Sequence, residues 1–254
     1  MTGLQDVGGL KSDLQDLVAE LRVATDLRPA SKLLRTSASM IAMTHVAVVT
    51  DVSHPDAPTD EAGESLVELL GWPQAFIDEW LQRNYSARSP AMVRARMEHL
   101  PFAWSPDEVA KDAGAIALQR LGITAWIMAP VRLPRGRFGV VSWLGPVDST
   151  LAVQLADDLG PEFLMLAHYY LDLMRRGAET PAVHEDLARL SPRELECLTL
   201  VAKGASDQAA GSQLGLSTRT ARFHLSNAAE KLGAQSRSHA VALATQLGIM
   251  GPVF

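Results

Sequence analysis

The sequence predicts an α+β protein with two domains: an N-terminal α/β/α sandwich around an antiparallel sheet, and a C-terminal all-α domain of four short helices. Over residues 1–176, amphipathic helical segments accompany short β-branched and apolar runs, which is typical of a sheet with helices packed on its faces. Residues 177–189 combine Pro181 with small and charged residues, and this composition indicates a linker. From Leu190 onward, Ser and Gly residues divide the chain into helical repeats, which predicts a small helical domain over 190–254.

The composition is that of a globular protein without a membrane span. The chain has 254 residues, a net charge of −6, 47% hydrophobic residues and 20% charged residues. It contains no run of about 18 apolar residues, and its N-terminus does not resemble a secretory signal, so we expect a cytoplasmic location and no membrane partner. Cys197 is the only cysteine, which excludes an internal disulfide, and we expect it to be a buried core residue. No cofactor and no metal are expected.

The N-terminal third predicts two helices followed by two strands. Leucines recur at helical intervals over 10–24, and Arg28–Pro29 is expected to end that helix. A second helix is expected over 30–43. The β-branched run 45–50 predicts one strand, and the apolar run 65–70 predicts another.

The remaining elements of the first domain are expected to alternate helices and strands. In order, they are a helix carrying Phe76, Trp80 and Tyr85; a helix opened by a capping box at Ser105–Glu108 and ended by Gly122; strands over 124–131 and 138–144, joined by a hairpin at 133–137; and a helix reaching Arg175–Arg176 with a break at Gly160–Pro161.

The C-terminal domain is divided by helix caps. Ser191 is a good N-cap, since Pro192 takes the first helical position and Glu194 completes a capping box. Three more serines are expected to cap helices, and a glycine is expected to end each of the four. The caps are Ser206, Ser217 and Ser236, and the glycines are Gly204, Gly215, Gly233 and Gly248.

The second and third of these helices form a helix-turn-helix pattern. On the third, Ala221, Leu225, Ala228 and Leu232 make an inward stripe, and polar residues fall mainly on other faces. Arg222 and Ser226 are four residues apart, so they project from one side toward a major groove. The residues predicted to bind DNA are Ser217, Thr218, Arg219, Thr220, Arg222, Ser226 and Lys231.

This C-terminal stretch resembles the LuxR family of bacterial regulators. The matching positions are Glu194, Leu198, Gly204, Leu214, Ser217, Thr220, His224, Lys231–Leu232 and Arg237, whereas Ala210 and Ala221 replace larger aliphatic residues. The resemblance implies a homodimer that binds a double-stranded DNA operator through two half-sites. Residues 191–254 carry six Lys/Arg and four Asp/Glu, so each copy would bind DNA weakly. The alternative is a helical domain that binds protein, or a helix-turn-helix without DNA affinity.

The last helix carries a stripe of apolar residues, consisting of Ala240, Leu243, Ala244 and Leu247. It is a candidate for part of the dimer interface, and equally for a cover over its own domain's core.

The aromatic-rich region Trp72–Trp104 is either core or a ligand site. It resembles the acyl-homoserine-lactone-binding domain of LuxR-type quorum-sensing regulators, an α/β/α sandwich that holds its signal between the sheet and one helical layer. The resemblance places Phe76 where the family has a Trp that donates to the lactone carbonyl, and Trp80 where a Tyr bonds the acyl carbonyl. Ser89 stands for the Asp that accepts the amide N–H, and Trp104 matches the Trp that packs on the lactone ring.

These exchanges predict a different ligand. Phe76 has no donor, Ser89 has no charge, and Trp126 falls near a family Gly, where its ring would take up volume. We therefore expect an apolar, aromatic pocket whose small-molecule signal is not a standard acyl-homoserine lactone. Its residues would be Phe76, Trp80, Tyr85, Ser89, Trp104 and Trp126. Two alternatives are a standard lactone receptor and a constitutive regulator whose aromatic rings fill the site.

Two other classes of protein have less support. A phosphorylation-controlled regulator would begin with a receiver domain, whose acidic pair follows the first strand, but this chain opens with two helices and lacks that carboxylate cluster. An enzyme is not expected either, because the sequence has no Gly-rich phosphate loop, no metal-ligand spacing among its seven histidines and no Gly-x-Ser-x-Gly elbow.

Overall fold

The structure, a computed structural model, describes residues 7–50, 58–60, 62–85, 89–105, 112–133, 138–178 and 190–250. The chain divides into two compact units. The first comprises Met1–Arg132 and Phe138–Glu179, and the main part of the second begins at Thr180. The described residues form eleven helices and four strands, so the expected α+β class is confirmed.

Seven helices and all four strands belong to the first unit. In chain order they are α1 (Val7–Val23), α2 (Leu27–Met40), β1 (His45–Val49), α3 (Gln74–Gln82), α4 (Pro90–Met97), β2 (Phe102–Trp104), α5 (Ala113–Arg120), β3 (Ala125–Arg132), β4 (Phe138–Gly145), α6 (Ser149–Asp158) and α7 (Gly160–Ala178).

The strands form one antiparallel sheet in the order β1-β4-β3-β2. Strands β3 and β4 lie at the centre and are buried along almost their whole length, because helices cover both faces of the sheet. Their hairpin register pairs Arg132 with Phe138. Both strands were expected from the sequence. The observed bounds of each strand lie within one residue of the expected bounds.

One face of the sheet packs on α2 and α7. The Trp143 ring of β4 lies 4.7 Å from the Phe163 ring of α7. Its indole Nε1 donates to the Ser37 hydroxyl of α2 over 2.8 Å, and both side chains are buried. Since neighbouring residues of a strand point to opposite faces, Ser142 and Leu144 project from the other face, toward α3, α4 and α5.

The strand expected over 65–70 is wrong, because this segment forms a helical turn. The Leu70 N–H donates to the carbonyls of Leu66 and Val67, each over 3.1 Å, while the Leu70 carbonyl accepts from Val46 N over 2.9 Å. Leu66, Val67 and Leu70 are buried, and their spacing is that of a helical turn, although a short apolar run of this length is also typical of a buried strand. Periodicity cannot separate the two in so short a run.

The boundary between the first two helices was expected three residues too late. Helix α2 begins at Leu27, because the Asp26 carboxylate caps it by accepting from Arg28 N over 2.8 Å. Pro29 lies in the first turn, where its missing N–H is tolerated, so it does not end a helix. Helix α2 also ends earlier than expected, at Met40.

The two later helical predictions of this unit have different outcomes. The break at Gly160–Pro161 is confirmed, since α6 ends at Asp158 and α7 begins at Gly160. The capping box expected at Ser105–Glu108 lies mainly outside the described residues. Helix α5 begins after Asp112, whose carboxylate accepts from Ala115 N over 2.9 Å.

The second unit contains the four expected helices. They are α8 (Pro192–Ala202), α9 (Asp207–Leu214), α10 (Thr218–Lys231) and α11 (Arg237–Gln246). Each is capped by the serine that the sequence indicated, and Ser191 with Glu194 forms the complete capping box.

The core of the second unit lies where its four helices meet. Cys197 is fully buried there, as expected, and Leu225 of α10 packs in the same cluster. Ala240 and Ala244 of α11 belong to this cluster, with Leu243 and Leu247 packed against it, so the α11 stripe covers its own domain's core. Among the described helices of either unit, none is both long and apolar enough to cross a membrane.

Candidate ligand cavity and DNA-binding surface

A cavity of about 110 Å³ lies in the first unit between the sheet and the layer of α3, α4 and α5. Its lining comes from β1, β3, β4, the turn over 66–72 and these helices. The lining residues are Val46, Ala47, Val48, Val49, Thr50, Pro58, Val67, Leu70, Trp72, Phe76, Ile77, Trp80, Leu81, Ser89, Ala91, Met92, Leu118, Trp126, Met128, Val140, Ser142 and Leu144. Apart from the hydroxyl groups of Thr50, Ser89 and Ser142, the described lining is mainly apolar, and it contains no ionisable side chain.

Aromatic rings form one wall of the cavity. Trp72 stacks on Phe76 with ring centroids 5.3 Å apart, and Phe76 lies 5.7 Å from Trp80. Helical spacing places Phe76 and Trp80 one turn apart on α3, so both rings face the sheet. The Trp72 indole is already engaged, because its Nε1 donates to the Val46 carbonyl over 2.6 Å.

Four of the six residues predicted to bind the ligand line this cavity: Phe76, Trp80, Ser89 and Trp126. The structure places the other two, Tyr85 and Trp104, outside the lining.

Tyr85 packs behind the aromatic wall. Its ring meets Trp80 edge-on at 5.1 Å, and its hydroxyl donates to Glu79 Oε1 over 3.3 Å. Tyr85 therefore supports Trp80 from outside the cavity.

Trp104 shares the cavity face of the sheet but lies at its edge. It is paired with Trp126 across β2 and β3, so the two side chains project from the same face. The Arg94 guanidinium of α4 lies 5.5 Å from the Trp104 ring and 4.4 Å from the Phe102 ring. At these distances the guanidinium makes cation–π contacts with both rings of β2.

Two serine hydroxyls supply polarity to the lining. Ser142 projects from the centre of the sheet and is 5% exposed. Ser89 precedes α4 as its N-cap residue, yet its side chain makes no capping hydrogen bond. A hydroxyl can donate or accept, so both groups suit a neutral polar atom of a ligand.

The sequence did not indicate Ser142, Met128 or Val140 as cavity residues. Each lies on a strand whose buried residues are continuous, so alternation gives no signal. Their common face becomes apparent only with the sheet order and register.

In the second unit, α10 exposes the side opposite its buried stripe of Ala221, Leu225 and Ala228. Arg219 and Ser226, both predicted to bind DNA, lie on this exposed side. Thr218 is also exposed, at the first position of the helix. Exposed basic and polar side chains on the second helix of a helix-turn-helix suit entry into a major groove.

Ser217 and Thr220 form the cap of this helix. The Ser217 hydroxyl accepts from Thr220 N over 3.0 Å and lies 2.7 Å from the Thr220 hydroxyl. Both side chains thus fix where the helix begins, in addition to any contact with DNA.

Arg222 is held by a carboxylate that the sequence did not reveal as a partner. Its Nε donates to Asp207 Oδ2 over 3.1 Å, and Arg237 of α11 donates to the other oxygen. Asp207 is 8% exposed, whereas the Arg222 side chain is 63% exposed. The first residue of α9 therefore ties α10 and α11 together and restrains the Arg222 guanidinium.

Lys231 forms an ion pair with a buried carboxylate of its own domain. Its Nζ lies 2.9 and 2.8 Å from the two carboxylate oxygens of Glu194, which also accepts from Ser191 N over 2.7 Å. Burial alone would raise the pKa of Glu194, but the hydrogen bonds from Lys231 and Ser191 outweigh it, and the pKa lies below its ordinary value. The ammonium predicted to contact DNA thus joins α10 to the capping box of α8.

A sandwich with an apolar cavity, together with a capped helix-turn-helix unit, is the architecture of a transcriptional regulator with a ligand-binding domain. Two family models match the chain: the autoinducer binding domain over residues 30–173, and the bacterial regulatory proteins of the luxR family over residues 188–244. The chain belongs to the LuxR family of quorum-sensing-type regulators.

Individual relatives agree with this assignment. The transcriptional activator protein BjaR1 of Bradyrhizobium diazoefficiens is 31% identical over 211 residues, covering 81% of this chain and 83% of BjaR1. The crystal structure of Escherichia coli SdiA superposes with a TM-score of 0.61 at 17% identity, covering 95% of this chain and 99% of SdiA. The structure of SdiA in complex with octanoyl-rac-glycerol superposes with a TM-score of 0.62 at 17% identity, covering 94% of this chain and 95% of that SdiA chain. The two structural likenesses support the fold.

Proposed function

We propose that this protein is a homodimeric transcriptional regulator that binds double-stranded operator DNA and responds to a compact, neutral, apolar molecule other than a standard acyl-homoserine lactone. Residues 1–176 would sense the molecule, 177–189 would link the domains and 190–254 would bind DNA. Ligand binding would bias the arrangement of the dimer and thereby the spacing of its recognition helices.

The chemistry of the cavity wall carries this proposal. A lactone receptor of the family uses a carboxylate to accept the ligand amide N–H and an indole to donate to the lactone carbonyl. Here those places hold the Ser89 hydroxyl and the Phe76 ring, and both line the cavity. A hydrogen bond to a charged group is worth about 1.5–3 kcal/mol, so its loss alone weakens lactone binding by about ten- to hundredfold.

The size of the cavity favours a small ligand over a filled, constitutive site. Trp126 is 5% exposed and takes part of the volume next to the sheet. Even so, about 110 Å³ stays open. An apolar cavity of about 150 Å³ holds benzene, so a space of about 110 Å³ limits the ligand to a compact organic molecule. The SdiA complex with octanoyl-rac-glycerol supports the idea that this fold accepts neutral ligands that are not lactones.

Restoring the missing polar groups tests the proposal. The double variant Phe76→Trp/Ser89→Asp supplies the donor and the carboxylate, and Asp is a favourable N-cap for α4. In thermal unfolding followed by tryptophan fluorescence, micromolar acyl-homoserine lactones should leave the wild type unchanged and raise the midpoint of the double variant. The two single variants serve as matched controls, and each should give a smaller rise.

A rise of several degrees in the wild type that depends on lactone concentration would show that this is a standard lactone receptor. Mass spectrometry of small molecules extracted from the purified protein tests the remaining alternative. We expect a neutral, compact compound, present at close to one per protomer. A chain that carries no such compound, yet binds its operator fully, would be the constitutive regulator instead.

A further inference from the structure

An exposed phenylalanine lies on the helix that should read DNA. Phe223 of α10 is 61% exposed. Among the described residues of the second unit, it is the one large hydrophobic side chain with that degree of exposure. The Phe223 ring approaches the neighbouring His224 edge-on at 5.9 Å, and Phe223 does not belong to the core cluster among the described residues of the second unit.

The position of Phe223 on the helix is opposite the buried stripe. Ala221, Leu225 and Ala228 are buried against the other helices. At about 100° per residue, Phe223 points about half a turn away from the middle of that stripe. Phe223 therefore occupies the centre of the face that the domain leaves open.

The residues that flank Phe223 on this face are of the types that contact DNA. Arg219 lies one turn before it and Ser226 nearly one turn after it, and both are exposed. A basic and a hydroxyl side chain on either side of an aromatic ring suit phosphate and base-edge contacts, with an apolar contact between them. A protein partner would also bury the ring, but the flanking arginine favours a polyanion.

We propose that Phe223 is a specificity-determining residue that recognises the C5-methyl group of a thymine in each operator half-site. The thymine methyl is the apolar group that the major groove displays, and Phe side chains are among those that contact it. Contact with this methyl buries part of a ring that is otherwise solvated. The inference rests on the proposed binding of operator DNA by α10.

Removing the methyl group from the DNA, rather than the ring from the protein, gives the sharpest test. Full-length protein selects its operator from a random duplex library, and each thymine of the selected site is then replaced by deoxyuridine, which lacks only the C5-methyl. Burial of one methyl group corresponds to about a fourfold change in affinity. We expect one replacement to weaken binding about fourfold in one half-site, and about sixteenfold when made in both.

The same duplexes are then bound by two variants. Phe223→Ala should lose affinity for the thymine operator and become indifferent to the deoxyuridine replacement, so that the double-mutant cycle shows coupling. Phe223→Leu, which keeps an apolar side chain, should retain part of the sensitivity. Both variants should unfold like the wild type, because the ring is exposed.

The inference is overturned if no thymine replacement weakens the wild type, or if Phe223→Ala remains as sensitive as the wild type. If no thymine replacement weakens the wild type, but Phe223→Ala binds every duplex more weakly, the ring contacts the sugar-phosphate backbone and not a thymine methyl group. Failure of the wild type to select any operator would instead overturn the proposed DNA binding, and with it this inference.

Discussion

Replacement of Lys231 by Met should destabilise the second unit because it leaves a buried carboxylate without its cation. Glu194 is 5% exposed in its side chain, whereas Lys231 is 42% exposed, so the two partners are not equivalent. Removing the more exposed partner strands the buried one, which loses two hydrogen bonds from Nζ and keeps the one from Ser191. We therefore expect Lys231→Met to be more harmful than Glu194→Gln.

The magnitude follows from the loss of a charge-assisted contact. Hydrogen bonds to charged groups contribute about 1.5–3 kcal/mol, and protonation of the stranded carboxyl limits the loss. For a domain of this size, each kcal/mol corresponds to about 4–8 °C, so the midpoint should fall by about 6 to 24 °C. Glu194→Gln should cost less, since the amide still accepts from Ser191 and Lys231 regains water.

The assay uses the distribution of tryptophan. All five tryptophans precede residue 177, so tryptophan fluorescence reports unfolding of the first unit only. Far-UV circular dichroism reports the helices of both units. Unfolding of the second unit should therefore appear as a transition in the dichroism that the fluorescence does not show. Lys231→Met should lower the midpoint temperature of that transition. Hydrogen-exchange mass spectrometry should show faster exchange in peptides of α8 and α10, with the peptides of β3 and β4 unchanged.

Acid titration adds a second readout with a definite sign. The folded pKa of Glu194 is lowered, so the pair's stabilisation is complete above the ordinary carboxyl pKa of about 4.3 and is lost as the pH falls through the folded value. In Lys231→Met, burial dominates and this acid-dependent loss should shrink. A variant with unchanged stability, but with lower operator affinity, would show that Lys231 acts on DNA and that the reasoning from the ion pair is wrong.

Three further changes have definite expected outcomes. Ser37→Ala leaves the buried Trp143 N–H without its acceptor and should cost the first unit about 1–3 kcal/mol, measured by denaturant unfolding followed by fluorescence. Burial, together with Arg35, lowers the pKa of His45 to about 4, so the first unit should lose stability as the pH falls from about 6.5 toward 4, and His45→Gln should remove this dependence. Arg222→Ala should cost about 1–3 kcal/mol in operator affinity and relax one operator position, measured by selection and titration.

Each of these outcomes has a direct counter-result. Equal stability of Ser37→Ala and wild type would mean that water or another group satisfies the Trp143 indole. An acid response of the first unit that persists in His45→Gln would place the titrating group elsewhere. Unchanged operator affinity and preference in Arg222→Ala would assign that guanidinium to its bond with Asp207 alone. Ser39→Ala, an exposed substitution on α2, is the control for Ser37→Ala.

The sequence predicted the second unit well because helix caps are local. The side chains of Ser191, Ser206, Ser217 and Ser236 each accept from a backbone N–H three residues along. The contacts that join the helices are not local: Lys231 is 37 residues from Glu194. A pattern in one helix cannot reveal such a partner, and for that reason Lys231 was assigned to DNA alone.

The cavity depended on information that a single sequence does not contain. Its wall joins β1, β3 and β4, which are distant in sequence and become neighbours through the order β1-β4-β3-β2. The resemblance located the residues of α3 and α4, since these lie in one continuous stretch. It placed Trp104 in the wall, because it could not show that β2 lies at the edge of the sheet, where the Arg94 guanidinium is 5.5 Å from the Trp104 ring.

The contacts within the second unit narrow the choice of residues that read bases. Ser217 caps α10, Lys231 forms an ion pair with Glu194 of α8, and Arg222 donates a hydrogen bond to a buried carboxylate. Each of these side chains has a structural role, whichever DNA contacts it makes. Arg219, Phe223 and Ser226 lie on the open face of the helix, and Phe223 lacks any role in the core. Sequence-dependent recognition should therefore be centred on this face, and Arg222 should contribute from its margin in a position that Asp207 fixes.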